Sequence, residues 1–260
     1  MRSKRFFDLA LCLAGGVVWI PTVLLGALLV LLMSGRPIFY ASMRKVATGE
    51  PIRIVKFRTM VRNAAELVNR DTVPCEDNVR FLNIPPDSPL YTRPGRLLER
   101  FGVTELPQFV HILRGEMSMV GNRPLPQNVM DCLAEEHGNA GDRFLTPAGL
   151  TGPAQLVGRQ ALSDRERLDL EGAYSRGCLR SYSLLLDIKI IVMTVLIVLH
   201  LRPSLSYQGV LALIDRHTTG SIVQAPPTDL TIVTPAPAPQ VAGGLVQQVF
   251  PGVERPAVEA

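Results

Sequence analysis

The pattern of apolar residues contains a first long stretch near the N-terminus. Residues 9–33 include no charged side chain, and as a helix they are long enough to span the roughly 30 Å hydrocarbon core of a bilayer. Pro21 lies near the middle of the stretch, where proline removes a helical hydrogen bond and bends the axis. We therefore predict a membrane helix over residues 1–34 with a kink at Pro21.

Basic residues lie on both sides of this stretch, and cytoplasmic flanks are the ones that favour Lys and Arg. They are Arg2, Lys4 and Arg5 before it and Arg36, Arg44 and Lys45 after it. Two topologies satisfy the pattern: a re-entrant helix that bends at Pro21 and returns to the same face, and a spanning helix that tolerates the proline. A cleaved signal peptide is disfavoured because the apolar region is too long and lacks a small-x-small cleavage site.

A second apolar stretch covers residues 184–201 but contains Asp187, Lys189 and His200. Asp187 and Lys189 are two residues apart, so on a helix they point to nearly opposite sides and cannot pair with each other. We predict a helix that lies on or partly in the membrane surface, packed against the first stretch. Burial within a soluble core is the alternative interpretation.

The residues between the two stretches have mixed signals. Residues 52–57 alternate apolar and basic side chains, which predicts a half-buried strand, and residues 64–69 indicate a short helix. Thr104 is predicted to cap a helix that runs to about Leu113. Residues 146–158 are rich in glycine and proline and predict a loop. The predicted fold class is an α/β-type membrane-associated domain, mostly helical with short strands.

The C-terminal part changes in composition. From residue 218 onward the chain is rich in Pro and Ala, with no helical or strand period, which predicts a disordered tail. The predicted organisation is a membrane helix over 1–34, a domain over 35–217 that includes the interfacial helix 184–201, and a tail over 218–260.

The distribution of charge argues against a nucleic-acid binder. The chain of 260 residues has a pI near 9.0 and a net charge of +4. Residues 1–60 carry nine basic and two acidic side chains, whereas residues 61–217 have a net charge of −1 and the tail of −2. The positive charge therefore flanks the apolar stretch, where anionic lipid headgroups attract it. A nucleic-acid binder more often spreads basic residues over its folded domain.

Several arginines lie beside glycine or proline and are candidate phosphate contacts: Arg96, Arg123 and Arg159. The planar guanidinium suits bidentate phosphate contacts, and Gly/Pro turns leave backbone N–H groups open to an anion. Glu105 lies in the first turn of the predicted helix, where the helix dipole keeps it ionised as a base or metal ligand. A carboxylate placed there for helix stability is the alternative.

Seven segments together carry a resemblance. They are KRFFD (4–8), IVKFRTM (54–60), ELPQ (105–108), LRGEMSMVGNRP (113–124), PAGLTGPAQ (147–155), GR (158–159) and LLDIK (185–189). In this order they resemble the bacterial sugar transferase family, the monotopic polyprenyl-phosphate phosphoglycosyl transferases. The resemblance implies a re-entrant rather than a spanning first helix. It adds Lys56 and Arg58 to the candidate phosphate contacts.

The family reaction is implied in the same way. A magnesium-dependent enzyme at the cytoplasmic face of the inner membrane transfers a sugar-1-phosphate from a nucleotide-sugar, such as a UDP-sugar, to polyprenyl (undecaprenyl) phosphate. The product starts exopolysaccharide, O-antigen or capsule assembly, with downstream glycosyltransferases as further partners. Membrane lipids are partners and nucleic acid is not.

One position departs from the family pattern in a way that bears on the chemistry. The family has an Asp-Glu pair whose aspartate attacks phosphorus and forms a covalent phosphosugar intermediate, and the matching pair here is Thr104-Glu105. Asn122 stands for a usual proline, Val46 for a glycine, and Ile20 for a small polar residue. We expect Thr104 to cap the helix near the donor phosphates, Glu105 to act as magnesium ligand or base, and transfer to be direct. The alternative is a non-catalytic relative that acts as a binding or regulatory subunit.

Overall fold

A computed structural model describes residues 2–47, 49–64, 88–138, 140–158 and 161–218. Its helices are α1 (Arg2–Ala14), α2 (Gly16–Ser34), α3 (Arg93–Arg100), α4 (Phe109–Arg114), α5 (Gln127–Glu136), α6 (Pro153–Val157), α7 (Asp164–Arg180), α8 (Leu184–Val198) and α9 (Tyr207–Thr218), with 3-10 turns at Leu106–Gln108 and Ala140–Leu145. The strands are β1 (Phe39–Arg44), β2 (Ile52–Phe57), β3 (Ser118–Val120) and β4 (Gly149–Thr151). The predicted class, mostly helical with short strands, is confirmed. Nearly all of the predicted helix 64–69, and the predicted tail beyond residue 218, lie outside the described residues.

The N-terminal apolar stretch forms two helices rather than one. The interruption lies at Gly15, between α1 and α2, and Pro21 lies inside the continuous helix α2. The single helix predicted over residues 1–34 is therefore interrupted at Gly15, and the kink at Pro21 stays a prediction. The physical reason is the glycine pair Gly15-Gly16, because glycine is the weakest helix former after proline and a pair of them interrupts a helix readily.

Helix α1 is held to the folded domain by buried polar contacts. Lys4 is only 2% exposed, and its Nζ lies 2.7 Å from Oδ2 of Asp187 on α8 and donates to the Tyr174 hydroxyl at 3.1 Å. Asp8 accepts hydrogen bonds from the Ser118 hydroxyl at 2.8 Å and the Met119 N–H at 2.9 Å. These long-range contacts fix α1 against α8 and β3.

The next basic residue, Arg5, also faces inward. Its guanidinium donates to the carbonyl oxygens of Ile112 and Leu113, the latter at 2.8 Å. Cations at a helix C-terminus complement its unpaired carbonyls and its dipole, and here the helix is α4. The expectation that the basic N-terminal flank faces lipid headgroups is therefore wrong for Lys4 and Arg5, because both have partners within the protein.

Helix α2 presents apolar side chains outward along most of its length. It is the one helix among the described residues that is long and apolar enough to cross a membrane, with a mean hydropathy of 2.4. Its inner side packs closely, since a Cβ at Gly26 would lie 2.8 Å from the Phe57 ring. At its end, Arg58 donates to the carbonyl oxygens of Ser34 at 2.8 Å and Gly35 at 2.9 Å. Both ends of the α1–α2 unit thus contact the same domain.

Two small sheets lie among the described helices. Strands β1 and β2 pair antiparallel as a hairpin, with Phe39 opposite Phe57, so the predicted strand 52–57 is confirmed. Strands β3 and β4 pair in parallel, with Val120 opposite Thr151. The predicted loop 146–158 is wrong in part, because it contains β4 and α6. The prolines and glycines of this segment lie at the ends of β4 and α6, where they interrupt neither the strand nor the helix.

The C-terminal helices α7, α8 and α9 contribute buried side chains to the main core. Helix α7 begins at a capping box in which the Ser163 hydroxyl accepts from the Glu166 N–H. Helix α8 buries Asp187 on its inner side. Lys189 contacts Nε2 of His217 on α9 at 3.0 Å. The prediction that Asp187 and Lys189 do not pair is therefore confirmed, since each binds a different element.

Candidate active site

The Thr104–Glu105 segment follows α3 and lies beside the end of β2. The chain reverses at Gly102, whose φ of +65° falls in the left-handed region that glycine tolerates best. The Phe57 N–H then donates to the Thr104 carbonyl at 3.0 Å. Because Phe57 also packs on Gly26 of α2, this segment lies on the part of the domain nearest the apolar helix.

Thr104 does not cap the helix that follows it. The 3-10 turn Leu106–Gln108 comes first, with Glu105 before it, and α4 begins only at Phe109. Neither element has a side-chain cap, and Thr104 is 5% exposed. The predicted capping role is wrong because Pro107 favours a tight 3-10 turn at this point, which moves the helix start away from Thr104.

Glu105 and Arg123 form the central ion pair of the site. The Nη2 of Arg123 donates to Oε1 of Glu105 at 2.5 Å and its Nη1 donates to Oε2 at 3.3 Å. The Glu105 carboxylate raises the pKa of the Arg123 guanidinium. This fork-to-fork geometry places an ionised carboxylate beside a fixed cation. The sequence indicated Glu105 as a metal ligand or base and Arg123 as a phosphate contact. The structure brings the two side chains together.

Close backbone packing fixes the loop that carries Arg123. A Cβ at Gly121 would lie 2.3 Å from the Pro147 carbonyl oxygen, and one at Gly149 would lie 2.0 Å from the Gly121 nitrogen. No other residue fits at either point, since real Cβ contacts are never this short. The Gly121 N–H donates to the Thr151 carbonyl at 2.8 Å. The glycines of the two motifs therefore bring the residues after β3 and around β4 into contact.

Two further arginines, Arg143 and Arg167, lie near Arg123 and were not singled out from the sequence. Burial lowers the pKa of Arg167, against the opposing effect of the nearby Glu171 carboxylate, and the charges of Arg143 and Arg123 lower it further. Arg143 is buried and forms an ion pair with Glu171 at 3.0 Å. Each of these three arginines has a carboxylate beside it, and Arg143 and Arg167 are buried, so the guanidinium available to a diphosphate here is that of Arg123. Nothing in the local sequence identifies Arg143 and Arg167, because their proximity depends on long-range folding.

The other predicted phosphate contacts that the structure describes have different partners. Lys56 lies over the Tyr40 ring, 5.7 Å from its centroid, and Arg96 is exposed and donates to the Tyr91 carbonyl at 3.3 Å. Arg58 binds the end of α2 and is buried, so its position favours a structural role. Arg159 lies outside the described residues. Of the predicted arginines that the structure describes, Arg123 is the one that forms an ion pair with Glu105.

A magnesium ion is compatible with this donor set when the substrate supplies the remaining ligands. No group of three or more His, Cys, Asp or Glu side chains that could hold a metal occurs in the part of the chain that the structure describes. Mg²⁺ is commonly bound through one or two carboxylates together with substrate phosphates. Glu105 offers a carboxylate whose side chain is 20% exposed, and Glu99 lies within electrostatic reach of Arg123.

Comparison with known proteins identifies the family. The profile of the bacterial sugar transferases matches residues 1–201. This chain belongs to the bacterial sugar transferase family. It falls in the class of phosphoglycosyl transferases, as the names of several relatives indicate.

The matches to individual relatives extend over about three quarters of this chain. The chain is 32% identical over 195 residues to the uncharacterized sugar transferase EpsL of Bacillus subtilis, a match that covers 75% of this chain and 86% of EpsL. It is 31% identical over 197 residues to the exopolysaccharide production protein ExoY of Sinorhizobium fredii, covering 74% and 84%. It is 34% identical over 205 residues to the undecaprenyl-phosphate glucose phosphotransferase of Komagataeibacter xylinus, covering 75% and 35%.

Proposed function

We propose that this sugar transferase moves a sugar-1-phosphate from a nucleoside-diphosphate sugar to polyprenyl (undecaprenyl) phosphate and thereby starts exopolysaccharide, O-antigen or capsule assembly. The observation that carries the proposal is the Glu105–Arg123 pair in a domain that packs against an apolar helix. The names of relatives support the acceptor, since one acts on undecaprenyl phosphate and another serves exopolysaccharide production. Downstream glycosyltransferases would then extend the lipid-linked product.

The chemistry that fits these residues is direct transfer. A phosphate oxygen of the polyprenyl phosphate attacks the sugar-bearing phosphorus, a new P–O bond forms, and the bond to the nucleoside monophosphate breaks with its electron pair on the leaving oxygen. Arg123 binds donor phosphate through its planar fork, and Glu105 orients the reacting groups as metal ligand or base. Magnesium, held by Glu105 together with the donor phosphates, would neutralise charge on the diphosphate.

The α1–α2 unit is proposed to be re-entrant at the cytoplasmic face of the inner membrane. Support comes from contacts at both of its ends with one domain: Lys4 with Asp187, and the carbonyls of Ser34 and Gly35 with Arg58. A helix that crossed the bilayer would hold its ends about 30 Å apart on opposite faces. Contact of both ends with the same domain favours entry and exit on one side.

Helix α8 is proposed to lie at the membrane surface beside this unit. Its inner side is buried at Leu186 and Ile190, whereas Leu184, Leu185 and Val192 are exposed. A helix with one buried side and an exposed apolar side suits the interface between domain and lipid.

The decisive experiment is a donor panel. The purified full-length protein in detergent is incubated with undecaprenyl phosphate, Mg²⁺ and one UDP-sugar at a time, and release of UMP is measured. We expect release with at least one donor, dependent on the lipid acceptor and nearly abolished in Glu105→Gln. Arg100→Lys, a change at an exposed arginine of α3, is the control and should behave as wild type.

A second candidate function rests on Thr104, which stands where the resemblance places the nucleophilic aspartate. The chain would then be a non-catalytic relative that binds lipid or nucleotide-sugar and serves as a regulatory subunit. Absence of UMP release with every donor, while a nucleotide-sugar still binds, would support this candidate over the enzyme.

A further inference from the structure

Asn122 precedes Arg123 and is almost completely buried, at 2% exposure. Its side-chain nitrogen Nδ2 donates to the Arg143 carbonyl oxygen at 2.7 Å and to the Ser175 hydroxyl at 2.9 Å, with the Glu171 carbonyl oxygen at 3.4 Å. Three oxygen atoms surround one end of the amide. That end must be the NH₂ group, because carbonyl oxygens only accept hydrogen bonds.

The contact between the Arg123 loop and Arg143 is reciprocal. While the Asn122 side chain binds the Arg143 backbone, Nη2 of the Arg143 side chain donates to the Arg123 carbonyl oxygen at 2.6 Å. Two adjacent residues of the loop are thus held to one residue by bonds that run in both directions. Such a pair restrains the backbone at Arg123 against both translation and rotation.

Both partners of this pair are themselves fixed. The Nε of Arg143 lies 3.0 Å from Oε2 of Glu171 on α7, and both side chains are buried. The Asn122 carbonyl accepts from the Gly149 N–H at 2.9 Å, which joins the loop to β4. The Ser175 hydroxyl also lies 3.1 Å from that of Thr146. The loop is therefore tied to α7, to β4 and to the 3-10 turn that contains Arg143.

These contacts act on the ion pair through Arg123. Its side chain reaches Glu105 at 2.5 Å from a backbone position that Asn122 and Arg143 hold. A displacement of about 1 Å in a catalytic group can reduce turnover on the order of a hundredfold. The orientation of the Arg123 guanidinium therefore depends on how firmly the loop that carries it is held.

We propose that Asn122 is a positioning residue that sets the direction of the Arg123 fork toward Glu105 and the donor phosphates. The proposal rests on the proposed function for its effect on turnover. It assigns a role to a residue that touches neither substrate nor the reacting atoms.

The test measures turnover of Asn122→Ala alone and in an Arg123→Lys background. Asn122→Ala should lower kcat by between about tenfold and a hundredfold. In the Arg123→Lys background, where the fork is already absent, the same change should cost less than about twofold, because residues that act through one another are not additive. A change that only reduced the folded fraction would cost the same factor in both backgrounds.

Ser175→Ala serves as a second variant, in case Asn122→Ala folds poorly. It removes one acceptor of the Asn122 amide and should lower kcat about threefold, in keeping with the loss of a single hydrogen bond. Ser206→Ala is the control, since it makes the same change at a serine whose hydroxyl accepts from the Gly209 N–H at the start of α9, outside this network, and it should leave kcat unchanged.

Hydrogen exchange measured by mass spectrometry provides a readout that needs no activity. In Asn122→Ala, amides of residues 121–125 should exchange at least about tenfold faster, while those of α3 should not change. Unaltered exchange at 121–125, wild-type turnover in Asn122→Ala, or an equal loss in both backgrounds would overturn the proposal. If the wild type releases no UMP, the proposed function fails, and the exchange at 121–125 still decides whether Asn122 holds the loop.

Discussion

The guanidinium of Arg123 donates two hydrogen bonds to the carboxylate of Glu105, one at 2.5 Å and the second at 3.3 Å. The pair keeps a phosphate-binding group and a carboxylate side by side, although 18 residues separate them in the sequence. A diphosphate that binds Arg123 competes with Glu105 for the same fork. Donor binding is thereby expected to loosen the hold of Arg123 on Glu105.

The first prediction concerns the planar guanidinium of Arg123. Arg123→Lys keeps the positive charge but loses bidentate geometry, so kcat should fall on the order of tenfold or more. UMP release at saturating donor measures the effect. Arg100→Lys, on the exposed side of α3, is the matched control. Equal turnover of Arg123→Lys and wild type would mean that Arg123 serves the fold and not the donor phosphates.

The second prediction concerns the topology of the α1–α2 unit. In a variant without native cysteines, single cysteines replace Arg2 and Arg36, both of which are exposed. A membrane-impermeant thiol reagent should label both from the cytoplasmic side of inner-membrane vesicles and neither from the periplasmic side. A cysteine at the exposed Arg180 at the end of α7 marks the side of the domain. Labelling of Arg2 and Arg36 positions from opposite sides would establish a spanning helix.

The third prediction concerns the buried ion pair that attaches α1 to α8. Asp187→Asn removes the carboxylate that the buried Lys4 ammonium contacts and leaves Asp8 as its nearby counter-charge, so the free energy of unfolding should fall by about 3 kcal/mol. The double variant Lys4→Met/Asp187→Leu removes both charges and should recover a large part of that loss. Thermal unfolding in detergent compares the variants. A double variant as unstable as Asp187→Asn would show that the hydrogen bonds of Tyr174 and Tyr182 to Asp187 matter more than the charges.

Local sequence patterns predicted those helices and strands that are determined by their own consecutive residues. The alternation over 52–57 identified β2, and the apolar stretches identified α2 and α8, because each pattern is a property of consecutive residues. The break at Gly15 was missed because proline is the stronger signal in isolation, although the Gly15-Gly16 pair interrupts the helix. The position of the interruption depends on two adjacent glycines, which are both weak helix formers.

The candidate site was predictable only in part. Glu105 and Arg123 were identified one at a time, since each lies in a distinctive local context. Their pairing, and the contacts of Asn122 with Arg143 and Lys4 with Asp187, join residues up to 183 positions apart. No local pattern encodes such distances. For the same reason, the basic residues before α2 were expected to face lipid headgroups, although Lys4 is buried in the domain.

The last prediction concerns Thr104, where a family nucleophile would be an aspartate. A threonine hydroxyl is a weak nucleophile unless a base removes its proton, and the Glu105 carboxylate is bound by Arg123. Direct transfer to the lipid phosphate therefore needs no bond to Thr104. Thr104→Ala should retain measurable turnover, whereas Glu105→Gln should be nearly inactive. The free energy of unfolding of Thr104→Ala should fall by about 1 kcal/mol, because the side chain is buried although it caps neither helical element.

Intact-protein mass spectrometry with donor alone, combined with UMP release, distinguishes direct transfer, a threonine nucleophile and a non-catalytic chain. Direct transfer predicts no added phosphosugar on the wild type and UMP release only when polyprenyl phosphate is present. A phosphosugar adduct that disappears in Thr104→Ala would instead make the threonine a nucleophile and refute direct transfer. Thr104→Asp distinguishes the non-catalytic alternative, since a carboxylate at this position restores the group that the resemblance places there. If Thr104→Asp gains turnover and forms an adduct while the wild type does neither, the natural chain is a binding subunit that kept the fold and lost the nucleophile.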